Sequence, residues 1–201
     1  MRWTPVLFCV AVALLSSCGT PPLKLYTLGA PPVASDAAPL GKKPVVIAVA
    51  RVTVPDELDT EDLVVRDGST LRRSTLGRWA SRLSLGITDR ITQRLAERQP
   101  DALVTDRPLT DTPAYRVLIN VGRMDVTSAG VATVDADWMI VPRDPGAQTL
   151  RDRGHFSLTG PVATDQDVVT LLGAVLDQVA GAIVLPEPAP AKARRQVPLP
   201  R

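Results

Sequence analysis

The sequence contains few of the residues that most catalytic and metal sites require. Its 201 residues include one histidine and two cysteines. A structural zinc site needs about four such ligands, so these counts nearly exclude one. They also leave little room for a histidine-based catalytic triad. A glycine-rich phosphate-binding loop is missing as well. The composition therefore favours a non-enzymatic protein that needs no cofactor.

An excess of charge of one sign is also missing. The chain has 23 basic and 21 acidic residues and a net charge of +2, so nucleic acid is not an expected partner. Of 19 prolines, seven precede Val45 and five follow Leu185. Because proline interrupts regular structure, we predict a single domain over residues 23–185 and a disordered tail over residues 186–201.

The N-terminus carries an apolar run that is too short to cross a membrane. Residues 6–15 are ten apolar residues after the basic Arg2, whereas a spanning helix needs about 20. This pattern is typical of a secretory signal peptide, which we assign to residues 1–17. An uncleaved anchor and an ordinary secretory signal are the alternatives.

The residues that follow this run, Leu15-Ser16-Ser17-Cys18-Gly19, resemble a bacterial lipobox. The resemblance implies that Cys18 becomes the first residue, carries acyl chains such as palmitate, and is followed by a short tether over residues 18–22. Several acyl chains give stable membrane anchoring. Gly19, where an aspartate would favour retention at the inner membrane, points to the outer membrane. Once the predicted signal peptide is removed, Cys18 is the one cysteine that remains, so no intramolecular disulfide is expected.

Hydrophobic periodicity predicts the element order β-β-β-α-β-β-β-α. Alternating or β-branched runs indicate strands at 23–28, 45–54, 63–66, 115–121, 132–140 and 150–158. A four-residue repeat of apolar residues predicts a helix over 76–98, and Thr164 with Asp167 forms a capping pattern for a second helix that ends near Ile183. We therefore predict an α+β fold: a largely antiparallel mixed sheet with two helices packed on one face.

Three clusters of polar residues are weak candidates for chemistry. His155 is the only histidine, but no nucleophile lies near it in the sequence. Asp135 and Asp137 share one strand face, where solvation is the simpler explanation. The acidic loop at residues 56–62 lacks the glycine and the ligand order of a calcium loop. None of these clusters predicts a catalytic or metal site.

A stripe of arginines is the stronger candidate. Arg78, Arg82, Arg90, Arg94 and Arg98 follow one another along the first predicted helix, one residue behind its apolar stripe. We call them the arginine stripe. Its first four members are the candidate surface for phospholipid headgroups or an acidic partner; a solvated helix face is the alternative. Trp79, between them, is expected to anchor the core.

Several short motifs together resemble the ABC-type transport auxiliary lipoproteins. They are Val52-x-Val54-Pro55-x-x-Leu58-Asp59, Leu63-Val64-x-Arg66, Arg78-Trp79-Ala80, the early Leu25-Tyr26-Thr27-Leu28 and the strand Ala136-x-Trp138. The resemblance covers roughly residues 18–183. Its motif positions in this chain are Pro55, Asp59, Arg66 and Trp79.

The family resemblance implies a lipoprotein of the outer membrane that faces the periplasm. Its partners would be an inner-membrane ABC transporter and an MCE-domain protein, and its cargo phospholipid or another hydrophobic molecule. Independently of the resemblance, we expect homo-oligomers, because one close-packed domain of this size leaves no cavity for a diacyl lipid. Two other classes stay open. One is a structural envelope lipoprotein that tethers or assembles another complex, and the other is a periplasmic hydrolase built on His155.

The lipobox makes a direct prediction about membrane attachment. Substitution Cys18→Ala removes the thiol that would be acylated, so we expect the protein to leave the membrane fraction and to retain its signal peptide. Fractionation followed by mass spectrometry of the intact chain measures both effects. An unchanged membrane fraction, with unmodified Cys18 in the wild-type chain, would show that the lipobox is not used.

Overall fold

The described residues form two mixed β-sheets and two helices. The computed structural model describes residues 22–29, 44–110 and 112–186; the predicted signal peptide, Cys18 and the tail beyond residue 186 lie outside them. The strands are β1 (Lys24–Tyr26), β2 (Val45–Val49), β3 (Asp62–Asp67), β4 (Thr70–Trp79), β5 (Ala102–Thr105), β6 (Tyr115–Val126), β7 (Val131–Pro142) and β8 (Leu150–Thr159). The helices are α1 (Leu83–Arg98) and α2 (Asp165–Ala182). The predicted α+β class is confirmed.

The larger sheet has the strand order β5-β2-β6-β7-β8. Strand β2 runs parallel to both β5 and β6, whereas β6, β7 and β8 form the predicted antiparallel meander. The β6–β7 turn requires glycine, because Gly130 has a φ of +80° and a Cβ there would lie 2.4 Å from the carbonyl oxygen of Gly160. Asp144 closes the β7–β8 turn by accepting a hydrogen bond from the backbone of Gly146.

Both helices cover one face of this sheet, as predicted. Alternate residues of β7, such as Val134 and Trp138, point at the helices and are buried. Ile91 of α1 and Val175 of α2 have no exposed surface, and burying each such side chain contributes about 1.5–3 kcal/mol. The predicted capping box of α2 is present. Thr164 Oγ1 accepts a hydrogen bond from the backbone nitrogen of Asp167, and the Asp167 side chain accepts one from the backbone nitrogen of Thr164.

The smaller sheet has the order β1-β4-β3. Strand β1 is parallel to β4, and β3 is antiparallel to it. Several contacts join this sheet to the rest of the chain, including one from β3 and one from β4. Arg66 in β3 forms an isolated bridge with Thr127, and Ser74 Oγ in β4 donates to Asp165 Oδ2 at the start of α2, at 2.7 Å.

The structure contains two strands that the predicted order lacks: β4, directly before α1, and β5, directly after it. The predicted helix at 76–98 begins only at Leu83, and the residues before it belong to β4. Trp79 continues the four-residue spacing of α1, yet its burial follows the alternation of a strand that pairs with β1. Strand β5 has four residues, too few to show a period. The spacing of apolar residues could not separate these cases.

The packing of β4 makes a prediction about Gly77. A Cβ at this position would lie 2.4 Å from Asp165 Oδ2 and 2.8 Å from Tyr26 Cε2. We expect Gly77→Ala to destabilise the protein by about 1–3 kcal/mol, because the close-packed neighbours must move. Gly181→Ala is the control, since no atom lies within 4 Å of its Cβ position and alanine favours a helix by up to about 1 kcal/mol. Thermal unfolding that lowers the melting temperature equally in both variants would contradict this account.

Candidate functional site

The second half of the arginine stripe lies between the two helices. Arg90 and Arg94 of α1 both reach the carboxylate of Asp177 on α2. Arg90 donates from Nε and Nη2 at 2.8 Å each, and Arg94 donates from Nε and Nη2 at 2.9 Å each. Two bidentate pairs on one carboxylate fix the spacing and the rotation of the helices. In the sequence, Asp177 only interrupts the apolar surface of the second predicted helix, and no local pattern connects it with the arginine stripe.

Charge neutralisation at this point changes the titration of the carboxylate. Burial by itself raises the pKa of Asp177, but hydrogen bonds from Arg94 and Arg90 outweigh it, and the pKa of Asp177 lies below its ordinary value. The same bonds raise the pKa of Arg94. Only 18% of the Arg90 side chain is exposed. Arg94 also donates from Nη1 to Glu97 Oε2 at 2.8 Å, so two carboxylates within the chain face the charges of these two arginines.

The same cluster holds the N-terminal segment. Arg90 Nη1 donates to the backbone oxygen of Leu28 at 2.7 Å. The guanidinium lies over Gly173 of α2, where a Cβ would be 3.0 Å from it. The Leu28 side chain is buried beside Gly86, with its Cβ 3.6 Å from the Cβ position there. The two glycines thus make room for the segment that follows the predicted tether.

The first half of the arginine stripe is arranged differently. Arg78 ends up in β4 with its side chain exposed, and no carboxylate of the described residues lies within 4.0 Å of its guanidinium. Arg82 precedes α1, its side chain is 64% exposed, and its Nη1 is 3.8 Å from Asp59 Oδ2. These two arginines remain open to a partner or to a headgroup.

Asp59, a motif position, caps helix α1 from a distant loop. Its Oδ1 accepts from the backbone nitrogen of Ser84 at 3.0 Å, which satisfies a donor that the helix cannot pair itself. Arg51 donates to both Asp59 Oδ2 and Ser84 Oγ. Burial raises the pKa of Asp59, but the hydrogen bonds from Ser84 and the charges of Arg51 and Arg82 outweigh it, so the pKa is lowered.

The other motif positions also build local structure. The carbonyl oxygen of Pro55 accepts from the backbone of Leu58 and of Asp59, at 2.9 and 3.1 Å, and so forms the turn that presents Asp59. Arg66 donates to the buried Asp125, which Arg123 also binds at 2.8 Å. Burial raises the pKa of Asp125, yet these two arginines hold it below its ordinary value.

Trp79 closes a small cavity between the two sheets. Its side chain is 5% exposed, in agreement with the expectation of a core anchor. The cavity is lined by Leu58, Val64, Arg66, Leu71, Trp79, Leu83, Met124, Asp125, Val126, Val168 and Leu172. Its volume is about 20 Å³, whereas pockets for small molecules hold about 300–1,000 Å³. This cavity cannot accommodate a phospholipid.

The weaker polar candidates form one pair. His155 Nδ1 hydrogen-bonds to Asp135 Oδ1 across β7 and β8, on the sheet face opposite the helices. The His155 side chain is 64% exposed, and no hydroxyl or thiol of the described residues hydrogen-bonds to this ring. No group of three metal-ligating side chains occurs within the described ranges. None of the helices in those ranges has the length and apolar character that crossing a membrane requires.

Several solved structures share this fold, among them the following two. The crystal structure of an uncharacterized protein matches with a TM-score of 0.63 at 18% identity, over 80% of this chain and 95% of that chain. Protein XCC0632 from Xanthomonas campestris, assigned to the DUF330 family model, matches with a TM-score of 0.53 at 15% identity, over 68% of this chain and 79% of that chain. These identities establish the fold alone. No curated protein matches the sequence significantly.

The arrangement of α1, α2 and the loop of Asp59 thus defines an α+β domain in which the contacts of Arg90, Arg94 and Asp59 hold the helices in place. The sequence model of the ABC-type transport auxiliary lipoprotein component matches residues 26–184. The chain belongs to this family, and the resemblance drawn from its motifs is confirmed.

The contact of Arg90 and Arg94 with Asp177 makes a prediction with a defined pH dependence. Asp177→Asn leaves Arg90 without a carboxylate partner and Arg94 with Glu97 alone, so we expect a loss of about 2 kcal/mol at pH 7. The folded pKa of Asp177 is lowered. Its contribution is therefore complete above the unfolded value of about 3.9 and is lost as the pH falls through the folded pKa.

Urea unfolding across this pH range measures the effect. The difference between wild type and Asp177→Asn should shrink as the pH falls below about 4. Asp101→Asn is the control, because Asp101 is exposed, and it should change little at any pH. A difference that is independent of pH would mean that the charge of Asp177 does not hold the helices together.

Proposed function

We propose that this protein is the lipid-anchored, non-catalytic docking subunit of an ABC- and MCE-type transport system. It would be attached to the outer membrane through Cys18, face the periplasm, and help to move phospholipid or another hydrophobic molecule. The observation that carries the proposal is the family match over residues 26–184. The outer membrane, the MCE partner and the cargo are part of the proposal, since the family itself specifies only a transport auxiliary lipoprotein.

The packing of the domain supports docking rather than carriage. The cavity beside Trp79 has a volume of about 20 Å³, and protein interiors in general leave few voids larger than water. The cargo would therefore pass between copies of this chain, or between this chain and its partner. This is the physical reason to propose a homo-oligomer.

The exposed arginines are the proposed contact with an acidic partner. Arg90 and Arg94 were candidates for the same surface, but substitution of either would break the contact with Asp177 and disturb the fold. Arg78 and Arg82 lie outside this contact. Of the two, Arg82 stands directly before helix α1, beside the Asp59 capping loop. It is the first residue to change.

The test is affinity purification from bacterial membranes with identification of the proteins that co-purify. We expect an MCE-domain protein and an ABC transporter with the wild-type chain, and a several-fold smaller yield of both with Arg82→Glu. Arg116→Glu is the matched control, because Arg116 is exposed on the open face of the larger sheet.

Two results would count against the proposal. Recovery of a different envelope complex, without any transporter, would identify a structural tether instead. Recovery of a monomer with one bound phospholipid per chain would show a carrier. Equal yields from wild type and Arg82→Glu would remove Arg82 from the contact surface.

A further inference from the structure

We infer that one face of the three-stranded sheet lies directly on the phospholipid surface in which Cys18 is anchored. Leu23, Leu25 and Leu76 would contact the lipid, and Arg78 would lie at the level of the headgroups. We call these four residues the leucine patch. The inference rests on the lipid attachment in the proposed function and adds an orientation of the domain, which neither the family nor its motifs specify.

The leucine patch consists of apolar side chains that the fold leaves outside its core. Leu23, Leu25 and Leu76 are 52%, 65% and 45% exposed. A single exposed leucine is ordinary, but a cluster of them indicates an interaction surface. These three are among the seven large apolar side chains that are exposed in the described part of the chain.

The pairing of β1 with β4 assembles the patch from two distant segments. Leu25 pairs with Arg78 in the parallel register. Leu76 stands two residues before Arg78 in β4, and Leu23 stands two residues before Leu25, directly before β1 begins. Side chains two residues apart point to the same face of a strand. The next pair along the strands, Tyr26 with Trp79, points to the other face, where Trp79 is buried. The leucines therefore share the outer face.

The tether limits how far this face can be from the bilayer. Leu23 follows Cys18 by five residues, and a fully extended chain of that length reaches at most roughly 18 Å. Acyl chains on Cys18 would thus hold the start of β1 near the membrane in every orientation of the domain. The anchor and the patch lie at the same end of the chain, so a lipid surface is the nearest apolar environment.

The charge beside the leucines matches phospholipid headgroups. Arg78 is exposed, and no carboxylate of the described residues lies within 4.0 Å of its guanidinium. Apolar side chains beside a basic one are a pattern of proteins that lie in a membrane interface, because anionic lipids attract the basic group. The patch therefore fits an anionic phospholipid surface.

The experiment uses the full mature chain, purified with its lipid and inserted into vesicles of phosphatidylcholine and phosphatidylglycerol. Acylation of Cys18 leaves no free thiol, so a single added cysteine can carry an environment-sensitive fluorophore. Leu25→Cys and Leu76→Cys report on the patch, and Ala147→Cys, in the exposed β7–β8 turn, is the control. Nitroxide-bearing lipids in the vesicles quench a fluorophore that touches the bilayer.

We expect several-fold stronger quenching at positions 25 and 76 than at 147, and a loss of most of it at position 76 when Arg78→Glu is added. Mass spectrometry of the same sample reports the acylation of Cys18. With Cys18 acylated, equal and weak quenching at all three positions would overturn the inference and leave the proposed function intact. A fluorescence change at positions 25 and 76 that grows with protein concentration, without quenching by the nitroxide lipids, would show that the patch contacts a second copy of the chain. This result would also overturn the inference. Unmodified Cys18 would overturn both proposals.

Discussion

The carboxylate of Asp177 is the contact on which the arrangement of the helices depends. It binds two guanidinium groups from successive turns of α1, and one of these groups also holds the backbone of Leu28. Three segments of the chain therefore meet at one partly buried charge. A carboxylate shared by two arginines is fully hydrogen-bonded, which offsets the cost of removing it from water. The apolar faces of both helices can then pack on the sheet without an uncompensated charge between them.

The ends of the helices are stabilised by residues from elsewhere in the chain. Asp59 caps the start of α1 from the loop that Pro55 begins. Arg98, the last residue of α1, donates to the carbonyl oxygens of Ala180 and Gly181 at the end of α2. Each contact places a charge where it complements the helix dipole. The geometry of the fold thus gives each of these residues a structural role.

A domain built in this way has its chemistry on its surface. The cavity beside Trp79 is small, the contacts of Arg90 and Arg66 with aspartates are internal, and the His155–Asp135 pair stands open to water. The two exposed arginines, Arg78 and Arg82, lie on different elements, one on β4 and one before α1. In the two proposals above, Arg78 faces the membrane and Arg82 faces a protein partner.

The sequence alone determined the α+β class, the β6–β8 meander, the capping box of α2 and the family. These features depend on local patterns: alternation, turn residues and short motifs in order. It could not place Trp79 in a strand, because four-residue spacing runs unbroken from Trp79 into α1. It also could not show that Arg90 and Arg94 face Asp177, which lies more than 80 residues away. Only the tertiary structure decided which arginines are internal and that β1 lies beside β4, because both depend on contacts between segments far apart in the chain.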